Sequence, residues 1–239
     1  RIVVPEEHKQ WYAESALYIP GTYFPTDNLQ KISTKEITRA QIELPDNKFV
    51  FCSNNQSYKF DRRRFSLWMK ILHTVQESIL WISVSDPVIK KNLLCEVRAS
   101  GIDSERIVFA NVTTGIDDHL KRLQLADLML DTDLYNGHAS TVNALWAGVP
   151  VVTRIGRHFS SRVSASLLTA MELPELITTT DRDYVNLAIR FAQQSEFQKS
   201  IRQKIKANRA STRLFDSLQH TRELERLYRK VFEQWRGNS

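Results

Sequence analysis

Three short stretches combine residue types able to hold an anion. The first reads Ser53-Asn54-Asn55-Gln56-Ser57-Tyr58-Lys59, a run of amide donors closed by a lysine. An ammonium group there is suited to neutralising a phosphate, although a solvated surface lysine is the commoner arrangement. The second reads Asn111-Val112-Thr113-Thr114-Gly115 and leads into Asp117, Asp118, His119, Leu120, Lys121 and Arg122. His119 and Arg122 lie three apart and so share a helix face, where an imidazole can stack on a nucleobase while a guanidinium reaches its carbonyl. The third runs from Thr132 through Leu134-Tyr135-Asn136-Gly137-His138-Ala139-Ser140-Thr141 into the helical stretch Val142-Asn143-Ala144-Leu145-Trp146-Ala147. Small and hydroxylated residues opening a helix leave backbone N–H groups free at the positive end of its dipole, which is an anion site. Gly137 permits close backbone approach, and His138 at the lip favours a diphosphate over simple N-capping by Ser140 or Thr141.

Other chemistries lack their residues. No Gly-x-Gly-x-x-Gly fingerprint, Walker lysine loop or Gly-x-Ser-x-Gly elbow occurs in the sequence. Asp131-Thr132-Asp133 has the spacing of a divalent-ion pair. Because basic and dipolar groups nearby can already balance a diphosphate, no metal is expected.

These loops need a scaffold, and the pattern around them supplies one. Short β-rich runs at Lys48 to Ser53, Ser78 to Val84, Arg106 to Ala110, Asp127 to Asp131 and Pro150 to Thr153 alternate with stretches of helical period. The helices are expected near Arg62 to Thr74, Pro87 to Ser100, Asp117 to Leu125, Ser140 to Ala147 and Ser160 to Ala170. Such alternation predicts right-handed crossovers, a parallel sheet and helices on both faces. Ligands of such sheets lie beyond the carboxyl ends of the strands, where all three loops fall. After Pro174 the sequence reads as wholly helical, with elements near Asp181 to Gln194, Glu196 to Ser211 and Phe215 to Arg236. The last carries an apolar stripe from Leu218 to Trp235, suited to docking on its own domain or across a lobe boundary. Residues 1 to about 45 are dominated by turns and read as a connector, 46–195 as the ligand-binding domain, and 196–239 as C-terminal helices.

Composition agrees with an ordinary globular chain: 239 residues, 42% hydrophobic and 25% charged. The net charge of +6 comes partly from Lys199 to Lys230, at the spacing of solvated helix faces, so neither nucleic acid nor membrane is an expected partner. Cys52 and Cys95 make neither a disulfide framework nor a zinc spacing, which suits a reducing cytoplasm. No run approaches the ~18 apolar residues of a membrane span.

Taken in order, several segments resemble the C-terminal catalytic lobe of the O-linked N-acetylglucosamine transferase family, especially its bacterial members. They are Phe51 to Lys59, Ser78-Ile79-Leu80-Trp81, Arg106-Ile107-Val108-Phe109, Gln124-Leu125-Ala126-Asp127, Asn136-Gly137-His138, Leu145-Trp146-Ala147-Gly148, Ser161 to Ser166 and Leu224-Glu225-Arg226-Leu227-Tyr228. The resemblance implies one lobe of a two-lobed GT-B fold built on Rossmann-like sheets. It implies inverting, metal-independent transfer from a uridine diphosphate (UDP) sugar, with no cofactor. By position Gln56 and Lys59 would contact the diphosphate, and His119 and Arg122 the uracil. Thr113 would offer backbone groups to the base, and His138, Ala139, Ser140 and Thr141 would bind the phosphates. Asn143 would lie near the ribose and Tyr135 by the sugar, with Lys59 and His138 carrying the catalytic burden.

Ala139 and Asn143 stand where the family commonly has threonine and aspartate, Gly115 where some members have lysine, and Tyr135 where animal enzymes have a smaller residue. GlcNAc is the expected sugar and a Ser or Thr hydroxyl the expected acceptor. A UDP-hexose N-glycosyltransferase lobe and a non-catalytic nucleotide-binding or scaffolding module are the alternatives. The family's acceptor lobe and tetratricopeptide repeats lie upstream of the matched segments, so this stretch alone is expected to bind donor and transfer nothing.

Overall fold

The computed structural model describes residues 1–111, 113 and 115–237; Val112 and Thr114 of the second loop lie outside the described residues. The strands β1 (Phe49–Ser53), β2 (Ser78–Ile82), β3 (Ile107–Phe109), β4 (Leu128–Leu130), β5 (Val151–Arg154) and β6 (Ile177–Thr178) form a parallel sheet in the order β3-β2-β1-β4-β5-β6. Between them run α1 (Arg62–Thr74), α2 (Pro87–Ala99), α3 (Ile116–Leu123), α4 (Ala139–Ala147) and α5 (Val163–Ala170), followed by α6 (Asp181–Gln193), α7 (Ser195–Ser211) and α8 (Ser217–Gly237). The expected Rossmann-like parallel sheet is present.

The central strands are buried along their length: β2 has no exposed residue, and Val50, Phe51 and Cys52 are fully covered. Continuous apolar strands of this kind need helices on both faces. Phe51 pairs with Leu80 on one side and Leu128 on the other, placing β1 at the centre. From β1 the chain winds outward to β3 and then returns to β4 on the opposite flank of β1. The loops leaving β1 and β4 therefore part in opposite directions and open a crevice between them.

Two expectations need correction. The chain after Pro174 is not wholly helical, because Ile177–Thr178 adds the edge strand β6, held by register with Thr153 and Arg154. Two residues are too few to show a strand period, so only pairing identifies them. The segment expected as helix from Ser160 is a 3-10 turn over Phe159–Ser161, and α5 starts at Val163.

Helix starts follow local side-chain chemistry. The carboxylate of Asp61 accepts from the Arg64 backbone N–H (2.7 Å), and Asp86 accepts from those of Val88 and Ile89 with Pro87 in the first turn.

The N-terminal 45 residues carry only 3-10 turns and lie against the domain. The Arg39 guanidinium donates to the carbonyls of Leu125 (3.0 Å) and Lys48 (2.9 Å) and pairs with Asp127 (2.8 Å). Trp146 Nε1 donates to the Gln30 carbonyl (2.9 Å), and Arg162 Nε to that of Ile2 (2.6 Å). Helix α7 seats Ile201 and Ile205 in the core, whereas α8 buries no residue and leaves Leu218, Tyr228 and Phe232 exposed. Among the described residues no helix is long and apolar enough to cross a membrane.

Candidate functional site

The loops after β1 and β4 meet in the crevice through buried polar groups. Asn55 donates from Nδ2 to Asp131 Oδ1 (3.3 Å) and accepts the Ser140 hydroxyl on Oδ1 (2.6 Å). Asp131 also accepts the Gly137 N–H (2.7 Å) and the Thr153 hydroxyl (2.7 Å). Burial raises its carboxyl above the ordinary value, opposed by these hydrogen bonds. Ser164 donates its hydroxyl to the Gly137 carbonyl (2.9 Å), so the Thr141 hydroxyl is the donor in the 2.8 Å bond it shares with Ser164. Every one of these contacts fixes the turn that launches α4.

That turn presents backbone N–H groups. The first intrahelical bond is donated by Val142 to the His138 carbonyl (3.0 Å), so the N–H groups of Ala139, Ser140 and Thr141 precede the helical ladder. Ala139 is exposed and Thr141 buried. A Cβ at position 137 would strike the Thr141 hydroxyl and come within 2.8 Å of Ser140 Oγ and 3.2 Å of Asn55 Oδ1. Gly137→Ala should therefore cost about 1–3 kcal/mol of stability, the range for overpacking a tight site. Denaturant unfolding measures this, and a cost under half a kcal/mol would mean that the turn is looser than it looks.

Lys59 closes the opposite wall. Its Nζ donates to the Asn136 carbonyl (3.2 Å) and lies 4.4 Å from the centroid of the Tyr135 ring. Tyr135 in turn stacks on His138, with centroids 4.8 Å apart and planes at 28°. Phe24, brought in by the N-terminal segment, meets His138 edge-on at 6.1 Å. Partial burial lowers the Lys59 ammonium below the usual lysine value, with Asp131 opposing. Burial and then the Lys59 charge push the His138 imidazole below the usual histidine value. His138 is thus neutral at pH 7, and its buried Nε2 has no hydrogen-bond partner among the described residues. Cationic, polar and dipolar groups converge here, and the carboxylate beneath them, Asp131, is buried and taken up by Asn55, Gly137 and Thr153.

On the far flank, Arg122 donates to the Asn111 carbonyl and packs 5.3 Å from the Trp81 ring. It is buried, and it ties Asn111 to α3. His119 is half-buried, and burial followed by the Arg122 charge lowers it below the usual histidine value. Thr113 is half-buried in the same loop, while Gln56 is exposed at the head of the 3-10 turn Ser57–Lys59.

The Asp131-Thr132-Asp133 pair divides its duties among protein groups. Asp131 holds the turn described above. Asp133 is buried with Arg64 Nε (2.9 Å), Arg154 (2.8 Å) and Arg63, and Asp181 completes the cluster through Arg154 (3.3 Å) and Arg63. Burial alone would raise Asp133, but the hydrogen bonds and charges of Arg64 and Arg63 hold its carboxyl down to about 2.

Residues 26–224 match the sequence profile of glycosyl transferase family 41. The chain belongs to that family. It is 37% identical over 198 residues to a UDP-N-acetylglucosamine–peptide N-acetylglucosaminyltransferase of Caenorhabditis elegans, covering 83% of this chain and 17% of the relative. A probable enzyme of the same name from Arabidopsis thaliana is 30% identical over 236 residues, 96% of this chain and 24% of the relative. A mutant O-GlcNAc transferase from Thermobaculum terrenum superposes with a TM-score of 0.84 at 25% identity, over 98% of this chain and 44% of that one. A lipopolysaccharide glycosyltransferase shares the fold alone, with a TM-score of 0.61 at 14% identity. The chain spans about a quarter or less of the length of these curated relatives.

Within this family 41 domain, the fold brings Lys59, Tyr135 and His138 into contact beside Ala139, Ser140 and Thr141 at the start of α4, and leaves Gln56 exposed in the loop after β1. Thr113, His119 and Arg122 stand across β2 and β3, and Asn143 is half-buried one turn into α4. The Thr141 hydroxyl faces inward, so only its backbone N–H can serve a phosphate. Sequence reasoning named Asn55, Asn136 and Ser164 only as parts of longer segments, without a role of their own, and missed Phe24. Asn55 and Asn136 were legible as amides flanking turns, whereas Ser164 and Phe24 arrive from distant segments with no local signal.

Proposed function

We propose that this chain is the donor-binding lobe of a UDP-N-acetylglucosamine–protein transferase. The observation that carries the reading is the open N-terminus of α4, seated at the switch between β1 and β4 beside Lys59 and His138. An N–H cradle, a lysine and an imidazole with a free nitrogen together fit the diphosphate of a nucleotide sugar. The uracil would lie toward Thr113, His119 and Arg122. As the glycosidic bond breaks, negative charge grows on the β-phosphate, and the same groups stabilise the departing UDP. GlcNAc as the sugar and a peptide as the acceptor rest on the names of the relatives, and a Ser or Thr hydroxyl is the acceptor group that suits the O-linkage named for the Thermobaculum terrenum enzyme. The acceptor site and the tetratricopeptide repeats are assigned to further parts of a longer protein, and the free thiols of Cys52 and Cys95 suit the cytoplasm.

Calorimetry tests the reading: the purified chain should bind UDP with micromolar affinity and uridine far more weakly. No heat at millimolar UDP would overturn it. A pH dependence follows from His138. Its imidazole is neutral in the free chain, and a diphosphate beside it raises its proton affinity, so binding takes up a proton. Affinity for UDP-N-acetylglucosamine, whose phosphates do not titrate in this range, should therefore rise as pH falls from 8 to 6, by up to about tenfold per unit at the steepest. His138→Gln should flatten the slope, and an unchanged slope would assign the proton elsewhere.

A further inference from the structure

We propose that Tyr135 is a positioning residue of the diphosphate site, holding the Lys59 ammonium in its phosphate-binding pose before the ligand arrives. The proposal rests on the donor-site reading above. Lys59 comes from the loop after β1 and His138 from the loop after β4, and the ring of Tyr135 meets both, its centroid 4.4 Å from Lys59 Nζ and 4.8 Å from the centre of the imidazole. The backbone beneath the ring is fixed. The Tyr135 carbonyl accepts the Thr132 hydroxyl (2.6 Å), Asn136 N–H donates to the Ser160 carbonyl (2.8 Å), and Asp133 is clamped by arginines. The ring is therefore a platform anchored on the protein side, in a residue that remains 38% exposed.

The physical case is one of ordering. A lysine side chain has four rotatable bonds, and freezing it on binding opposes affinity. The negative face of an aromatic ring attracts an ammonium, more strongly where water is partly excluded. Together with the Asn136 carbonyl, the ring holds Lys59 near the α4 N-terminus in the ligand-free chain. Because the ring also walls the imidazole, with Phe24 at the other side of the contact chain, it sets the separation between the two groups that meet the diphosphate. Charge on Lys59 stays available, since an aromatic face neutralises nothing.

The test compares Tyr135→Phe, which keeps the ring, with Tyr135→Leu, which keeps apolar bulk but no π face. UDP binding by the purified chain should weaken roughly three- to thirtyfold in the Leu variant, the effect of losing a partly desolvated cation–π contact. The Phe variant should recover most of that loss, and uridine binding should change little in either. In a Lys59→Ala background, Tyr135→Leu should add almost nothing, an outcome that a purely structural role would not produce. Carbon–proton spectra of the ligand-free wild type should show Lys59 methylenes shifted upfield by the ring, and the Leu variant should lose that shift. Equal UDP affinity in the Phe and Leu variants, or an undiminished Leu effect without Lys59, would overturn the positioning role while leaving the donor site standing. If no variant and no wild type binds UDP, both fall together. Should Tyr135→Leu fail to fold, the lysine spectrum of the wild type decides, and an unshifted Lys59 overturns the proposal.

Discussion

Lys59→Ala is expected to weaken UDP binding by about ten- to a hundredfold, while uridine binding stays within about twofold. A charge-assisted hydrogen bond contributes about 1.5–3 kcal/mol, and each 1.4 kcal/mol is tenfold in affinity. Lys59 is the charged side chain at the mouth of the α4 cradle, and His138 beside it is neutral at pH 7. The loss is partial because the N–H groups of Ala139, Ser140 and Thr141 remain. Uridine has no phosphate and so does not meet the ammonium. If the chain serves a longer transferase as proposed, turnover should fall further than donor affinity does, because the departing β-phosphate carries more charge in the transition state than in the ground state. Losing one such donor typically costs ~10²–10³ in rate. Isothermal titration and single-turnover kinetics would check both, and if both stay within twofold of wild type the phosphate site is misplaced.

Asp133→Asn is expected to destabilise the fold by about 3–5 kcal/mol, the usual result of removing one partner from a buried ion pair. The Arg64 side chain is fully buried, and its Nε is bonded to the carboxylate at 2.9 Å. Its other two nitrogens have no hydrogen-bond partner among the described residues, one of them lies 3.9 Å from Asp181 Oδ1, and the guanidinium carbon sits 4.2 Å from the Tyr184 ring centroid. With the carboxylate gone, Arg63, Arg64 and Arg154 would be left facing Asp181 alone. For a chain of this length the loss corresponds to roughly 6–20 °C in Tm, readable by circular dichroism.

The same pair confers a pH dependence of stability. The Asp133 carboxyl titrates at about 2 in the fold against 3.8 ordinarily, so its contribution is fully present above pH 4 and is lost as pH falls toward 2. The Asn variant should lack that step. A cost below 1 kcal/mol would show that the arginines find water instead.

The alternation of apolar runs and helical periods determined most of the architecture, because parallel strands covered on both faces must be continuously apolar. Val50 to Cys52 and Ile79 to Ile82 advertise this without any tertiary information. The Asn136-Gly137-His138 turn was legible for a similar reason: hydroxyls and a glycine at a helix start have few other uses. The resemblance implies that Lys59 and His138 meet the same diphosphate, and the strand order brings their loops together, since β1 and β4 are neighbours despite 74 intervening residues between Ser53 and Leu128.

Tertiary structure alone decided what each polar group does once there. Thr141 reads as a phosphate hydroxyl, yet packing turns it inward to Ser164. Arg122 is fixed by a bond to the Asn111 carbonyl and by packing beside Trp81, neither of which its helix spacing shows. Asp133 reads as half of a metal pair, yet it is enclosed by arginines from α1 and β5. The strand β6 is invisible because two residues carry no period, and Phe24 reaches His138 from a segment of turns. In each case the deciding partner lies far away in sequence. A buried donor must satisfy itself with whatever the fold brings near, and no local pattern encodes that neighbour.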